Sequence, residues 1–367
     1  MHVFKYYRPN HYFDKAIRYN ELYFAANHEL NDPNDLKAIY YFEDSPELWS
    51  RLLKLSEENS FWSLSETINT DCQILAGSLN DIFKGIEVSS IDSFDSLKGV
   101  LDLCSGQIID AFESALFKRE NELNSPAVRA DLCKLIMTEL LSRAINHEFY
   151  SVSFSKDALN SMMWAHYAEG FKGCVVIYAS ENRGFSLSHN PFSENVAEYN
   201  LAPVDYVDSD KRIPILESVT SGKGKAVSTF LQKNSFWKYE DELRSFTFKA
   251  INTKYMAMAS HKAQKLKTTD RKRILYHDAS LIAGVIFGPR VKAEYQREVE
   301  FVLHDNRYYR GKESFFSLNT VLTDSGNIEI SKASKVTCAG EIPGFTPFEG
   351  EKLKELLHHL NILSDSR

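Results

Sequence analysis

The most informative stretch of this sequence reads Tyr-Ser-Val-Ser-Phe-Ser at residues 150–155, Met-Met-Trp-Ala-His-Tyr at residues 162–167 and Gly-Cys-Val-Val-Ile at residues 173–177. The aromatic and β-branched residues at 149–154 predict a strand, and the middle piece predicts a helix over residues 158–168. The continuous apolar run at residues 174–179 predicts a strand buried on both faces. This succession of elements indicates an α+β fold.

The composition is that of a folded protein. The 367 residues are 43% hydrophobic and 13% aromatic, and the formal net charge is −7. Such a chain can bury a sizeable core. Its net negative charge argues against a protein that coats nucleic acid without sequence preference and against one that binds anionic membranes. Its five cysteines are scattered without a CxxC pair, which argues against a disulfide framework or a structural zinc site.

We expect a soluble, cytoplasmic protein. No apolar run approaches the roughly 18 residues that a membrane-spanning helix needs, and the N-terminus lacks the apolar core of a signal peptide. Scattered cysteines are typical of reduced thiols in a cytosol. The oligomeric state has no signature in the sequence.

Strand-type and helix-type sequence patterns divide the chain into four segments. We expect residues 1–45 and 148–345 to form a mixed, mainly antiparallel β core, residues 46–147 a large helical insertion, and residues 346–367 a C-terminal helix. Ser125 and Pro126 predict a helix start inside the insertion. We also expect residues 196–199 and 204–207 to pair with each other around Ala202 and Pro203.

Two polar groups mark a candidate ligand site in the strands. Arg8, next to Tyr7, ends the first predicted strand, and a guanidinium there is a good bidentate clamp for phosphate or carboxylate. Ser153 and Ser155 point to the same side of their strand. The alternatives are that Arg8 forms an ordinary surface ion pair and that the two serines lie on a solvent-exposed face of the strand.

The following helix supplies Met163, Trp164, His166 and Tyr167. These groups suit stacking on, and hydrogen bonding to, a planar ligand. The alternative is that Met163, Trp164 and Tyr167 are core packing, with His166 a satisfied histidine at the edge of the core.

Glu240, Asp241 and Glu242 lie just before a predicted strand over residues 243–248. Alternate carboxylates on an extended segment face the same way, which suits general acid–base catalysis or the stabilisation of a developing cation. The alternative is a solvated acidic turn partnered by Lys238 and Arg244.

Several familiar motifs are missing from the sequence. It contains no GxxxxGK[ST] loop, no GxGxxG after a strand, no HExxH and no GxSxG. The histidines show no convincing metal-ligand spacing, so we expect no metal. A basic run over residues 262–273 is either a contact for nucleic-acid phosphates or a solvated helix face.

The order of these blocks resembles the uncharacterised bacterial family catalogued as domain of unknown function 2971. Proteins of that family carry a lysine-tyrosine-arginine start, an asparagine-aspartate-proline turn, a serine-phenylalanine-serine strand, a methionine-tryptophan-x-histidine-tyrosine helix and a tryptophan-x-x-glutamate-x-glutamate-x-arginine block. Here these motifs lie at residues 5–8, 31–33, 153–155, 163–167 and 237–244. The resemblance spans roughly residues 3 to 290 and implies no activity by itself.

A looser resemblance is to ADP-ribosyltransferases of the arginine–serine–glutamate type, and it implies an ADP-ribosyltransferase-like fold with an NAD site. Arg8 would hold an NAD phosphate, with Tyr7 beside it. Ser153 would support the ribose next to nicotinamide, and Ser155 would belong to the same pocket. The helix would provide an aromatic wall from Trp164, His166 and Tyr167.

The same resemblance assigns the two glutamates. Glu242 would bind the ribose 2′-hydroxyl and stabilise the oxocarbenium-like state, and Glu240 would orient or deprotonate the acceptor. The chain departs from the pattern in having Phe154 between the serines and in its long helical insertion.

The leading hypothesis is therefore an enzyme that transfers ADP-ribose from NAD to a protein or nucleic-acid target, or hydrolyses NAD, as in a bacterial toxin or phage-defence effector. The first alternative is a non-catalytic sensor of a nucleotide or small ligand. The second is a metal-dependent nucleic-acid-processing enzyme that uses the carboxylates, His166 and the basic run.

Overall fold

The computed structural model describes most of the chain. The described residues are 1–32, 34–55, 72–84, 91–116, 125–145, 147–208, 211–221, 224–250 and 273–363. Pro33 of the predicted turn and all of the basic run except Arg273 lie outside them. Among the described helices, none is long and apolar enough to cross a membrane.

The structure is a mixture of strands and helices. The strands are β1 (His2–Tyr7), β2 (Glu21–Tyr23), β3 (Ala25–Ala26), β4 (Ile39–Tyr41), β5 (His147–Ser155), β6 (Cys174–Ala179), β7 (Gly184–Leu187), β8 (Ala197–Asn200), β9 (Ala202–Pro203), β10 (Asp205–Tyr206), β11 (Arg212–Pro214), β12 (Gln232–Lys233), β13 (Glu242–Ala250), β14 (Ile274–Tyr276), β15 (Ile282–Phe287), β16 (Ser314–Leu322), β17 (Ile328–Thr337) and β18 (Gly344–Phe348). The α-helices are α1 (His11–Tyr19), α2 (Pro46–Lys54), α3 (Cys72–Lys84), α4 (Phe94–Leu103), α5 (Ser105–Ala115), α6 (Pro126–Ile145), α7 (Ser161–Tyr167), α8 (Ile215–Ser221), α9 (Gly224–Phe230), α10 (Ala293–Tyr308) and α11 (Gly350–His359).

The main sheet runs β18-β17-β16-β15-β6-β1-β5-β13-β9, with β3 added on β5. Its neighbours pair antiparallel except β15 and β16, which are parallel. The prediction of a mixed, mainly antiparallel α+β structure is confirmed at this level.

One edge of β5 is shared between two other strands. β1 pairs with it at Ser155, and β3 pairs with it at Ser151 and Tyr150. Between these contacts the Ser153 carbonyl oxygen accepts a hydrogen bond from Lys5 Nζ at 3.1 Å. We call this gap, where β1 diverges from β5 and Lys5 replaces the missing ladder bond, the fork.

The two faces of the sheet are distinguished by the alternation along β1. Phe4 belongs to a core with Trp164 of α7 and residues of α11. Tyr7 belongs to a second core with Phe13 of α1 and residues of α10. Because Phe4 pairs with Ser155 and Ser155 with Glu242, the Glu242 side chain lies on the α7 face.

The helices between residues 46 and 145 pack around a third core. It includes Trp49 of α2, Phe112 of α5 and Leu140 of α6, together with Phe149 of β5 and Phe230 of α9. Helix α6 begins at Pro126, and the Val128 amide donates to Ser125 Oγ at 3.4 Å, so the predicted start of this helix is confirmed.

The predicted pairing of residues 196–199 with 204–207 is wrong. Strand β8 pairs with β7, and β10 runs parallel to β12. The linker Ala202–Pro203 is itself a short strand on β13. Proline is compatible with such an edge position because its missing N–H is not needed there.

Candidate functional site

The acidic segment turns sharply at Asp241. A 3₁₀-helix, Ser235–Glu240, ends there with Asp241 in the left-handed region (φ 42°), and β13 starts at the next residue. The Asp241 side chain is half-exposed and pairs with Lys156 at 2.9 Å. Its neighbours Glu240 and Glu242 are each only 3% exposed, so the segment is not a solvated turn.

The two glutamates belong to a buried ionic cluster. It consists of three acids, Asp35, Glu240 and Glu242, and three bases, Lys211, Lys233 and Arg244. Equal numbers of acids and bases make the cluster close to neutral, which is how buried charges are tolerated in a protein interior.

Glu242 is enclosed within this cluster. Arg244 Nε donates to Glu242 Oε1 at 2.8 Å, and Arg244 Nη2 donates to Oε2 at 2.9 Å. Lys233 Nζ also donates to Oε2, at 3.2 Å. Arg244 also donates to both oxygens of Asp35, each at 2.8 Å, and to the Phe230 carbonyl oxygen at 2.9 Å, so one guanidinium binds two carboxylates.

Glu240 occupies the edge of the cluster. Its Oε2 accepts from Lys233 Nζ at 2.6 Å, and its Oε1 accepts from the half-buried Tyr167 hydroxyl at 2.5 Å. Tyr167 therefore connects the buried carboxylate to the surface of α7.

The pKa values of the two glutamates move in opposite directions. Burial opposes ionisation of Glu242, but Arg244 and Lys233 overcome it and lower its pKa to about 2. Burial raises the pKa of Glu240, and Lys233 only partly opposes this. Neighbouring carboxyl groups with separated pKa values are common at catalytic and binding sites.

Four ring side chains lie over this edge. Ring centroids are 6.1 Å apart for His166 and Tyr239 and for Tyr239 and Trp237, and Tyr167 adjoins His166 at 6.5 Å. Lys233 Nζ lies 5.1 Å from the Trp237 ring centre. We call His166, Tyr167, Trp237 and Tyr239 the aromatic row.

The structure brings together most of the residues predicted for the site. The exposed Arg8 donates through Nη2 to the His166 carbonyl oxygen at 3.3 Å. A hydrogen bond from Ser153 helps to lower the pKa of Glu242. Ser155 Oγ donates to the Glu240 carbonyl oxygen at 2.7 Å and accepts from the Asp157 amide, so its hydroxyl holds the turn together.

Two predicted residues lie apart from this group. Trp164 is completely buried, and its indole Nε1 donates to the Ala158 carbonyl oxygen at 2.9 Å, as the core-packing alternative expected. Tyr7 faces the other side of the sheet, where its hydroxyl lies 3.1 Å from that of Tyr178.

The sequence interpretation missed three members of the cluster. Lys233, rather than the expected Lys238, pairs with both glutamates, and Asp35 and Lys211 complete the network. Asp35 follows the asparagine-aspartate-proline turn at residues 31–33. Its nearly complete burial, at 2% exposure, follows from pairing across 209 residues that no local pattern reveals.

No group of three metal-binding side chains occurs within the part of the chain that the structure describes. Arg273, the described end of the predicted basic run, is buried and pairs with Glu29 at 2.5 Å. It is therefore not displayed on a basic surface.

Comparison with known protein families gives a match to part of the chain. A family model described as protein of unknown function (DUF2971) matches residues 163–245, which include most of α7, β6, the aromatic row and the Glu240–Arg244 segment. No curated protein and no solved structure matches the chain, so the resemblance to ADP-ribosyltransferases gains no support from them. The family match supports the first resemblance, to the DUF2971 proteins, over the part of the chain that contains most of the candidate site.

Proposed function

We propose that the chain binds NAD beside the aromatic row and cleaves the bond between nicotinamide and ribose. ADP-ribose would pass to a protein or nucleic-acid target, or to water. The observation on which the proposal rests is the position of Glu240, a buried carboxylate that contacts the half-exposed Tyr167 at 2.5 Å under a row of rings.

The chemistry follows from that position. As nicotinamide leaves with the electron pair of the broken bond, positive charge develops on the ribose. A carboxylate in a water-poor site stabilises this charge strongly. The raised pKa of Glu240, caused mainly by burial, also suits proton transfer from an acceptor.

The surrounding residues have matching roles in this proposal. Arg8 is exposed beside His166, and its remaining donors would hold the NAD phosphates. His166, Tyr239 and Trp237 would stack on the planar rings of the ligand. Glu242 already binds Arg244 and Lys233, so in this proposal it would position Lys233 beside Glu240.

A non-catalytic nucleotide sensor is the second candidate, and the closed ionic cluster favours it. Every acid of the cluster already has a cationic partner. Ligand stacking on the aromatic row needs no change in these pairs.

The test is release of nicotinamide from NAD, with cell lysate as a source of acceptors. We expect wild type to release nicotinamide, and both Glu240→Gln and Arg8→Ala to lose release. The matched controls are Glu294→Gln and Arg297→Ala, which alter an exposed ion pair on α10 and should behave as wild type.

Thermal unfolding with and without NAD separates the two candidates. Release that persists in Glu240→Gln overturns the catalytic role of Glu240. Protection by NAD without release in wild type supports the sensor. If wild type shows neither release nor protection, both candidates fail.

A further inference from the structure

A cavity of about 170 Å³ lies beside β1, on the face of the sheet that α1 covers. It is lined by Lys5 and Tyr7 of β1, by His11, Tyr12 and Lys15 of α1, and by Tyr23 of β2. Ile274 of β14 completes the lining, so the cavity lies between β1, α1 and the pair formed by β2 and β14.

Lys5 is an unusual cation in this cavity. Its Nζ donates to the Ser153 carbonyl oxygen, and within the described part of the chain this is its one hydrogen bond. No described carboxylate lies within ion-pair distance, although Glu242 acts on it from farther away. An ammonium group has three donors, so two remain for a ligand.

The rest of the lining suits one aromatic ring. The rings of Tyr12 and Tyr23 lie 5.4 Å apart on one wall, and Ala16 and Ile274 add apolar surface. An engineered apolar cavity of about 150 Å³ accepts benzene, so this volume fits a single six-membered ring.

We propose that the cavity binds a small aromatic anion, a single ring bearing a phosphate or carboxylate group. Lys5 and Lys15 hold the anionic group, and Tyr12 and Tyr23 contact the ring. This site is separate from the proposed NAD site, because Lys5 and Tyr7 alternate along β1 with the residues that face α7.

Charge in the cavity favours the anion. Lys5, Lys15 and His11 face it from β1 and α1, and Glu21 of β2 is the one described acid in its lining. Lys15 partly compensates Glu21. Burial lowers the pKa of Lys5 to about 8 against the opposing effect of Glu242, so the amine is charged below that pH.

Calorimetric titration with phenyl phosphate tests the proposal. We expect wild type to bind phenyl phosphate more tightly than inorganic phosphate or phenol alone, and parallel titration with benzoate tells which anionic group is preferred. Lys5→Met should weaken phenyl phosphate binding about tenfold to a hundredfold, the effect of losing a charge-assisted hydrogen bond. The control Lys335→Met changes an exposed lysine on β17 and should bind as wild type.

Tyr12→Ala provides a second test that does not disturb the interior, because Tyr12 is 46% exposed. It should weaken binding of phenyl phosphate but leave that of inorganic phosphate unchanged. Phenyl sulfate, whose charge does not titrate in this range, should lose affinity as the pH rises through about 8 and Lys5 becomes neutral. Absence of binding to wild type, or equal affinity in wild type and folded Lys5→Met, would overturn the proposal.

Discussion

Arg244 donates more hydrogen bonds to carboxylates than either of the other two bases of the ionic cluster. Its guanidinium is 1% exposed and binds both oxygens of Asp35 and both of Glu242. Arginine suits this position because its planar fork of donors matches two carboxylates at once. A lysine there would supply one point charge for the same two acids.

Replacing Arg244 with methionine should lower the free energy of unfolding by about 3–5 kcal/mol, because Asp35 and Glu242 would remain buried without their main partner. Urea unfolding measures the change. Lys156→Met is the control, since it breaks an exposed pair with Asp241 that is worth at most about 1 kcal/mol. If both variants lost a similarly small free energy of unfolding, the ion pairs of Arg244 with Asp35 and Glu242 would not have the predicted stabilising effect.

Glu242 should make the protein sensitive to acid. Its pKa of about 2 in the folded state lies below the ordinary value of 4.5, so the unfolded chain binds a proton first as the pH falls. The stability that Glu242 contributes is present above about pH 4.5 and is lost towards pH 2.

Urea midpoints measured between pH 5 and pH 2 test this effect. They should fall less steeply for Glu242→Gln than for wild type, whereas the exposed control Glu294→Gln should keep the wild-type slope. Glu240 acts in the opposite sense, because its raised pKa favours the folded state at low pH. Identical slopes for wild type and Glu242→Gln would argue that Arg244 and Lys233 do not hold this carboxylate charged.

The sequence predicted the residues of the Glu240–Arg244 segment but not their partners. The spacing of acids and arginine is visible locally, and the Arg244 partnership was one of the alternatives. The Asp35, Lys233 and Lys5 contacts depend on which strands become neighbours. Lys5 and Ser153 are 148 residues apart in the sequence, so no local pattern predicts the fork.

At the scale of elements, local signals placed most strands and helices within a few residues. The helix predicted over residues 158–168 is shorter, because Asn160 accepts from the amides of Met162 and Met163 and starts α7 at Ser161. Residues 21–26 form two short strands, β2 and β3, and the Phe24 amide between them donates to the Arg273 carbonyl oxygen.

Gly173, just before β6, lies close to the end of β1 and to Ala168, the residue after α7. A Cβ added there would collide with the Tyr7 carbonyl oxygen. Gly173→Ala should therefore lower the free energy of unfolding by about 1–3 kcal/mol through overpacking. Gly99 of α4 has no neighbour within 4 Å of an added Cβ, so Gly99→Ala should raise stability by about 0.5–1 kcal/mol. Thermal or urea unfolding measures both changes. Changes of opposite sign in the free energy of unfolding would confirm the prediction, and changes of the same sign would refute it.

At the scale of the whole molecule, three cores are arranged around one sheet. The two faces of the sheet contribute one core each, and the helices of residues 46–145 contribute the third. Composition predicted that a sizeable core exists, but the pairing of β1 with β6, which lies about 170 residues later, follows from the complete topology.

The burial of cysteines throughout the molecule gives a global test of the fold. Cys104, Cys133, Cys174 and Cys338 are buried, Cys72 is half-buried, and no disulfide joins any of these five described residues. Burial also raises the pKa of the Cys174 thiol, which slows its reaction. A thiol reagent should therefore modify one cysteine rapidly in the native protein and all five in denaturant. Rapid modification of several native cysteines would contradict this packing.

The fork gives the sheet a mechanical property. The strands from β18 to β1 form one leaf, and β5, β13, β9 and β3 form the other, joined along the ladder by the pair at Phe4 and Ser155. Local opening of a protein concentrates where backbone hydrogen bonding is sparse, so we expect opening of this sheet to begin at the fork, between β1 and β5.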